Sequence, residues 1–132
     1  ADIPLNNFLR LQALRIAARL LFLAFLCTLP GLSLGHAFPD HAEPKVGSAI
    51  SAVPSSVRIW FDSNLEPVFS SIIVQDANGK KVDKGDGRVD PSDSTLLEAS
   101  LPSLPPGSYR VIWNVVARDG HRTNGDYTFV IK

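Results

Sequence analysis

Residues 36–132 predict a small antiparallel β-sandwich, and three observations carry that reading. Apolar residues in this stretch recur with period two, the pattern of half-buried strands. The alternating runs are short and bounded by Pro, Gly, Asn and Asp. No segment past residue 35 shows the 3.6-residue period of a helix. About seven short strands with turns at frequent intervals fit two packed sheets. A stretch of 97 residues is the right size for one such domain.

Residues 1–35 stand apart from this pattern. Arg10, Arg15 and Arg19 precede an uncharged run from Leu20 to Gly35, with Asp2 the only acid. A membrane span needs about 20 apolar residues, and Pro30-Gly31 breaks this run early. Basic start, short apolar core and small residues at the junction describe an export signal. Ser33 and Gly35 stand at −3 and −1, so cleavage is expected after Gly35, leaving no stable membrane insertion. An uncleaved anchor is the alternative. Lipoprotein processing at Cys27 is disfavoured by the bulk of Phe25 and Leu26. An initiator methionine is expected ahead of Ala1.

The strands follow in order. Val57, Ile59 and Phe61 alternate with Arg58, Trp60 and Asp62. Ile72, Ile73 and Val74 run into Asp76–Lys80, a hairpin-like turn. The polar stretch Lys84–Ser94 reads as a surface loop, followed by a strand carrying Leu97, Ala99 and Leu101 on one face. Pro102–Gly107 is a turn segment, since proline lacks the ladder donor. Tyr109, Val111, Trp113 and Val115 then face one way, with Arg110, Ile112 and Asn114 facing the other. Tyr127, Phe129 and Ile131 form the last strand. Phe61, Tyr109, Trp113 and Phe129 are expected between the sheets, and Trp60 on the opposite face.

The composition of 36–132 excludes several functions. Its 10 Lys and Arg against 12 Asp and Glu give a net charge of −2, so nucleic acid or an anionic lipid surface is not the expected partner. Cys27 is the only cysteine and falls in the signal; the chain has no methionine. The soft ligands that select Cu(I) are therefore missing from the mature domain.

What remains is a hard-to-borderline donor set. Cleavage after Gly35 makes His36 the first residue, and its amine and imidazole can then chelate one metal ion. Asp119-Gly120-His121 supplies a second imidazole with a carboxylate two residues before it. Residues two apart in an extended segment point to the same side, and Gly120 lets the backbone turn. Three nitrogens and one oxygen suit tetragonal Cu(II). The proposed ligands are His36, Asp119 and His121, for one Cu(II) ion. His41, beside Asp40, is at most an auxiliary and otherwise a solvent-facing strand-edge histidine. Amino-terminal copper binding through backbone amides needs histidine third in the mature chain, where Phe38 stands.

The mature stretch also resembles the CopC family of periplasmic copper-binding, copper-resistance proteins. The resemblance rests on His36-Ala37, Pro44-x-x-Gly47, Pro54-x-x-Val57-x-Ile59-x-Phe61, Leu104-x-Pro106-Gly107-x-Tyr109-x-Val111-x-Trp113 and Asp119-Gly120-His121-x-x-x-Gly125. It implies a cupredoxin-like, immunoglobulin-like Greek-key β-sandwich and Cu(II) ligation by His36, Asp119 and His121. Some members carry a methionine-rich Cu(I) site, which this chain cannot have. An acidic residue often follows the family's Phe-Ser pair; here Phe61-Asp62-Ser63 puts the acid one position earlier, on the other strand face, against a metal role for Asp62.

The expected function is thus a monomeric periplasmic Cu(II) carrier or store. It would serve copper resistance, or delivery to an inner-membrane copper transporter or a cuproenzyme. Two rivals come from other classes. One is a copper monooxygenase of the histidine-brace type, disfavoured by the equatorial carboxylate and the lack of loops for a substrate face. The other is a metal-free interaction module in which Asp119-Gly120-His121 is only a turn.

Overall fold

The computed structural model describes residues 5–28 and 35–132, and the chain divides into two units, Ala1–Ser33 and Leu34–Lys132. The first holds the helix α1, Leu5–Thr28. No glycine or proline interrupts this stretch, and Leu, Ala, Arg and Gln, all good helix formers, dominate it. For that reason the helix begins well before the apolar run at Leu20. Among the described residues no helix is long and apolar enough to cross a membrane. The Pro30-Gly31 break and Ser33 of the expected cleavage junction lie outside the described residues.

The second unit is the sandwich. Its strands are β1 (Pro39–Glu43), β2 (Ala49–Ile50), β3 (Ser56–Phe61), β4 (Ser71–Gln75), β5 (Arg88–Asp90), β6 (Asp93–Ser100), β7 (Gly107–Val116) and β8 (Arg122–Ile131). They form two four-stranded sheets, ordered β1-β3-β6-β5 and β2-β8-β7-β4. Alternation decides which side chains meet between them. Val57, Ile59 and Phe61 point inward from β3, and Tyr109, Val111, Trp113 and Val115 from β7. Phe61 meets the edge of Trp113 with ring centroids 5.2 Å apart, and Tyr109 stacks on Phe129 at 5.7 Å. Burying such rings is worth about 2–3 kcal/mol each relative to exposure. The Tyr109 hydroxyl, carried to the end of the core, donates to the Pro105 carbonyl at 2.6 Å and pins the turn before β7.

The structure departs from the sequence reading in three places. It has eight strands where about seven are expected. The Lys84–Ser94 stretch is not wholly a surface loop: it contains β5, paired with β6, with Val89 buried. A single valine between Arg88 and Asp90 offers no alternation to read. Nor is every pairing antiparallel, because β2 runs parallel to β8. The chain leaves β1, turns at Gly47 with φ +70°, and lies alongside β8 in the same direction. Gly47 N–H donates to Thr128 O and Val130 N–H to Ser48 O, both at 2.8 Å.

Trp60 does sit on the outer face of its sheet, half-buried. The His41 ring stacks on it at 4.5 Å and 8°, and the Arg58 guanidinium lies 4.8 Å from its centre.

Candidate metal centre

The turn between β7 and β8 positions two of the expected ligands. Ala117 N–H donates to His121 O at 2.9 Å, and Gly120 N–H to Ala117 O at 2.8 Å. Gly120 adopts φ +90°, with nothing within 4 Å of a Cβ built on it. Glycine is thus required there by backbone conformation and not by space. Asp119 caps the turn: its Oδ1 accepts the His121 N–H at 3.0 Å. Such side-chain-to-backbone bonds two residues on are what Asp contributes to turns. Asp119 and His121 therefore meet through a tight turn, and the alternation of an extended segment does not describe them.

That same bond sets the charge state. Donation from the His121 N–H, then the nearby His121 and His36 rings, hold the Asp119 carboxyl below the ordinary carboxylate value of 3.8, against a smaller opposing effect of burial. Asp119 Oδ2 lies 3.1 Å from His121 Nδ1. That approach is an ion-pair contact poorly aligned for a hydrogen bond, and Nδ1 is screened from water with no other partner.

The third residue arrives from the N-terminal segment. Ala37 is fully buried, and Thr123 Oγ1 donates to its carbonyl at 2.6 Å. Phe38 N–H donates to Asp62 Oδ1 at 2.8 Å, while Asp62 N–H donates to Phe38 O at 3.0 Å. Held in this way, His36 places its ring 4.7 Å from the His121 ring, at 58°. A Cβ on Gly35 would lie 3.6 Å from Asp119 Oδ2. The backbone just ahead of His36 thus runs beside the carboxylate.

His36, Asp119 and His121 are therefore neighbours at one end of the sandwich. His41 is not among them; its Nδ1 lies 2.9 Å from Asp40 Oδ2 and its ring is given to Trp60. Among the described residues no three His, Cys, Asp or Glu side chains already converge on one point, so the rings must turn to share an ion. The geometry otherwise suits one. Metal–N and metal–O bonds of about 2.0–2.1 Å at a right angle put adjacent donors about 2.9 Å apart, close to the 3.1 Å between Asp119 Oδ2 and His121 Nδ1.

Sequence reasoning misses the parts of Asp62 and Thr123. Their bonds to the N-terminal segment span 24 and 86 residues, and no local motif announces them. The β3–β4 loop completes the surroundings: Leu65 bridges Ala117, and Arg118 N–H donates to Asn64 O at 3.1 Å.

Comparisons with known proteins converge. The CopC domain family matches residues 40–132. The copper transport protein CutJ of Bacillus subtilis is 32% identical over 113 residues, covering 85% of this chain but 21% of CutJ, so the chain spans about a fifth of that relative. Protein YobA of Escherichia coli K12 is 32% identical over 98 residues, 74% of this chain and 79% of YobA. CopC from Methylosinus trichosporium OB3b superposes with TM-score 0.65 at 33% identity, over 74% of this chain and 94% of that one. PcoC, a methionine-rich copper resistance protein from Escherichia coli, gives 0.64 at 28%, over 74% and 100%.

Proposed function

The chain belongs to the CopC family, and from that premise we propose that residues 36–132 are a periplasmic carrier or store for one Cu(II) ion. Cleavage after Gly35 is part of the proposal. It turns the His36 backbone nitrogen into a free amine, at the end of a segment whose preceding residue, Gly35, runs beside Asp119.

The observation that supports the reading is that His36, Asp119 and His121 lie near one another at one end of the fold. The His36 and His121 rings lie 4.7 Å apart, and His121 Nδ1, screened from water, is 3.1 Å from Asp119 Oδ2. His36 would hold the ion through its amine and imidazole, His121 through its imidazole and Asp119 through Oδ2. Three nitrogens and a carboxylate oxygen favour Cu(II). Each nitrogen binds only when deprotonated. Asp119 stays ionised at neutral pH and supplies negative charge against the cation.

Oxidation state follows from what the chain lacks. PcoC is described as methionine-rich, whereas this chain has no methionine and its single cysteine, Cys27, precedes the cleavage point. Nothing in residues 36–132 supplies a soft sulfur donor for Cu(I). The name of CutJ, a copper transport protein in which the matching stretch is about a fifth of the whole, supports delivery to a transporter over simple storage.

Mass spectrometry of the exported protein with and without copper tests both halves of the proposal. The expected result is a chain starting at His36 that gains one copper. A chain starting at Phe38, or one at His36 that gains no copper, would overturn it. Adding one residue before His36 should weaken binding as much as losing a side-chain ligand. If the extended protein binds equally well with an unchanged electron paramagnetic resonance spectrum, the amine is not a ligand.

A further inference from the structure

We infer that Asp62 and Thr123 are positioning residues, a two-point clamp that presents the His36 donors to His121 before copper arrives. The inference rests on the copper reading above and deepens it. A terminal residue with a free amine is ordinarily among the most mobile in a domain, and a chelate built on it would have to be ordered by the metal. Here the two residues after His36 are fixed from opposite sheets.

From the β8 side, Thr123 Oγ1 holds the Ala37 carbonyl at 2.6 Å. Thr123 lies two residues past His121, so that one bond sets the register of His36 against His121. From the β3 side, Asp62 accepts the Phe38 N–H at 2.8 Å and returns its own N–H to the Phe38 carbonyl at 3.0 Å. Between the two anchors Ala37 is fully buried, which leaves no room for the segment to slide.

The clamp also accounts for the displaced acid. Asp62 Oδ1 is taken up by Phe38 N–H and lies 3.4 Å from Ser63 Oγ. The carboxylate that stands one position early in Phe61-Asp62-Ser63 thus grips the backbone of the N-terminal segment and stays outside the donor set.

Ordering the backbone of one residue costs about a factor of ten in a binding constant. Releasing either anchor should therefore weaken Cu(II) binding at least tenfold. The experiment compares Asp62→Ala, Asp62→Asn and Thr123→Val with the exported wild type. Asp86→Ala, which loses a comparable bond to the Ser100 N–H at 2.8 Å, is the control for general loosening. Hydrogen exchange of the Phe38 amide is read without metal, then Cu(II) affinity by competition and the electron paramagnetic resonance spectrum. The expected result is lost Phe38 protection, at least tenfold weaker binding and a mixed spectrum in Asp62→Ala. Thr123→Val should show the same fall in affinity and the same mixed spectrum. Asp62→Asn, which keeps an acceptor oxygen, should restore most of both, and Asp86→Ala should change neither. Unchanged Phe38 protection in Asp62→Ala, or lost protection with unchanged affinity and spectrum, would overturn the clamp. Wild type that binds no copper overturns the copper reading, and the clamp with it.

Discussion

Gly125 leaves almost no room for a side chain. It faces Trp113 directly across the β7–β8 ladder, and the indole lies flat against the space a side chain would fill. A Cβ built there would stand 2.5 Å from Trp113 Cζ2, 2.9 Å from Cε2 and 3.3 Å from Cη2. Carbon atoms prefer about 3.5–4.0 Å, so in Gly125→Ala the ring must retreat by about 1 Å. Trp113 is 7% exposed and packs edge-to-ring with Phe61, which limits its retreat on that side. Overpacking of this kind costs about 1–3 kcal/mol, and replacing glycine returns about 0.4–1 kcal/mol by stiffening the unfolded chain. The net expectation is a loss of about 1–2 kcal/mol. For a domain near 100 residues each kcal/mol moves the midpoint about 4–8 °C, so the transition should fall by about 4–15 °C. Differential scanning calorimetry of the metal-free protein reads this directly. Trimming the ring in Gly125→Ala/Trp113→Phe should then cost less than the two single changes summed, since the residues touch. A midpoint that stays put or rises in Gly125→Ala would show that the indole does not rest on this glycine.

Three further outcomes follow from the geometry. His121→Ala and Asp119→Ala should each weaken Cu(II) binding sharply and shift its visible and paramagnetic spectra; His121→Ala should leave metal-free stability nearly unchanged, Asp119→Ala should also lower it by removing the turn acceptor, and His41→Ala should not weaken binding. For pH, the Asp119 carboxyl is held below 3.8, so its ligand oxygen is available at neutral and mildly acid pH and is lost only in strong acid; copper release well above pH 4 must come from protonation of the nitrogen donors. Copper retained undiminished at pH 4 would argue that carboxylates dominate the site. At the other extreme, burial pushes Tyr127 far above the ordinary tyrosine value of 10.0 and raises Tyr109 as well. A raised acid pKa means that stability is intact below the unfolded value and falls as pH climbs past it. Tyrosinate absorbance should appear only together with alkaline unfolding, and a tyrosine titrating in a folded protein near pH 10 would contradict that burial.

Elements with a strong period were legible before any coordinates. β3, β7 and the second half of β8 declare themselves through inward-facing apolar residues at every second position, and the four core aromatics fall where that alternation puts them; the polar first half of β8, Arg122–Asp126, carries no such signal. β5 and β2 were not, for a shared reason. A strand of two or three residues holds at most one inward side chain, Val89 in one case and half-buried Ile50 in the other, and periodicity needs more than one. The parallel run of β2 beside β8 depends on where the Gly47 turn aims the chain, which no local pattern encodes. At the candidate site the split is similar. His36, Asp119 and His121 are picked out in the sequence, the first by an expected processing junction and the others by a short motif, and the fold brings them near one another. Asp62 and Thr123 were not, since a hydrogen bond across 24 or 86 residues leaves no trace in spacing.

The role of the carboxylate separates the copper reading from the view that Asp119-Gly120-His121 is only a turn. A turn needs one oxygen of Asp119, and Oδ1 already serves it by accepting the His121 N–H. Oδ2 has no turn function, yet it lies beside His121 Nδ1 at 3.1 Å and near the backbone ahead of His36. A nitrogen that is screened from water, with a carboxylate beside it poorly aligned for a hydrogen bond, is an arrangement folds rarely leave without a reason. Under the copper reading the reason is coordination: Nδ1 and Oδ2 would hold the ion together, while Oδ1 keeps the turn closed. The same division predicts how substitutions at this residue should rank. Asp119→Asn retains an acceptor for the turn but loses the anionic ligand, so it should fold as well as wild type and bind Cu(II) weakly. Asp119→Ala should lose both. If Asp119→Asn binds copper as tightly as the natural protein, with an unchanged spectrum, the carboxylate belongs to the turn alone and the oxygen ligand must be sought elsewhere.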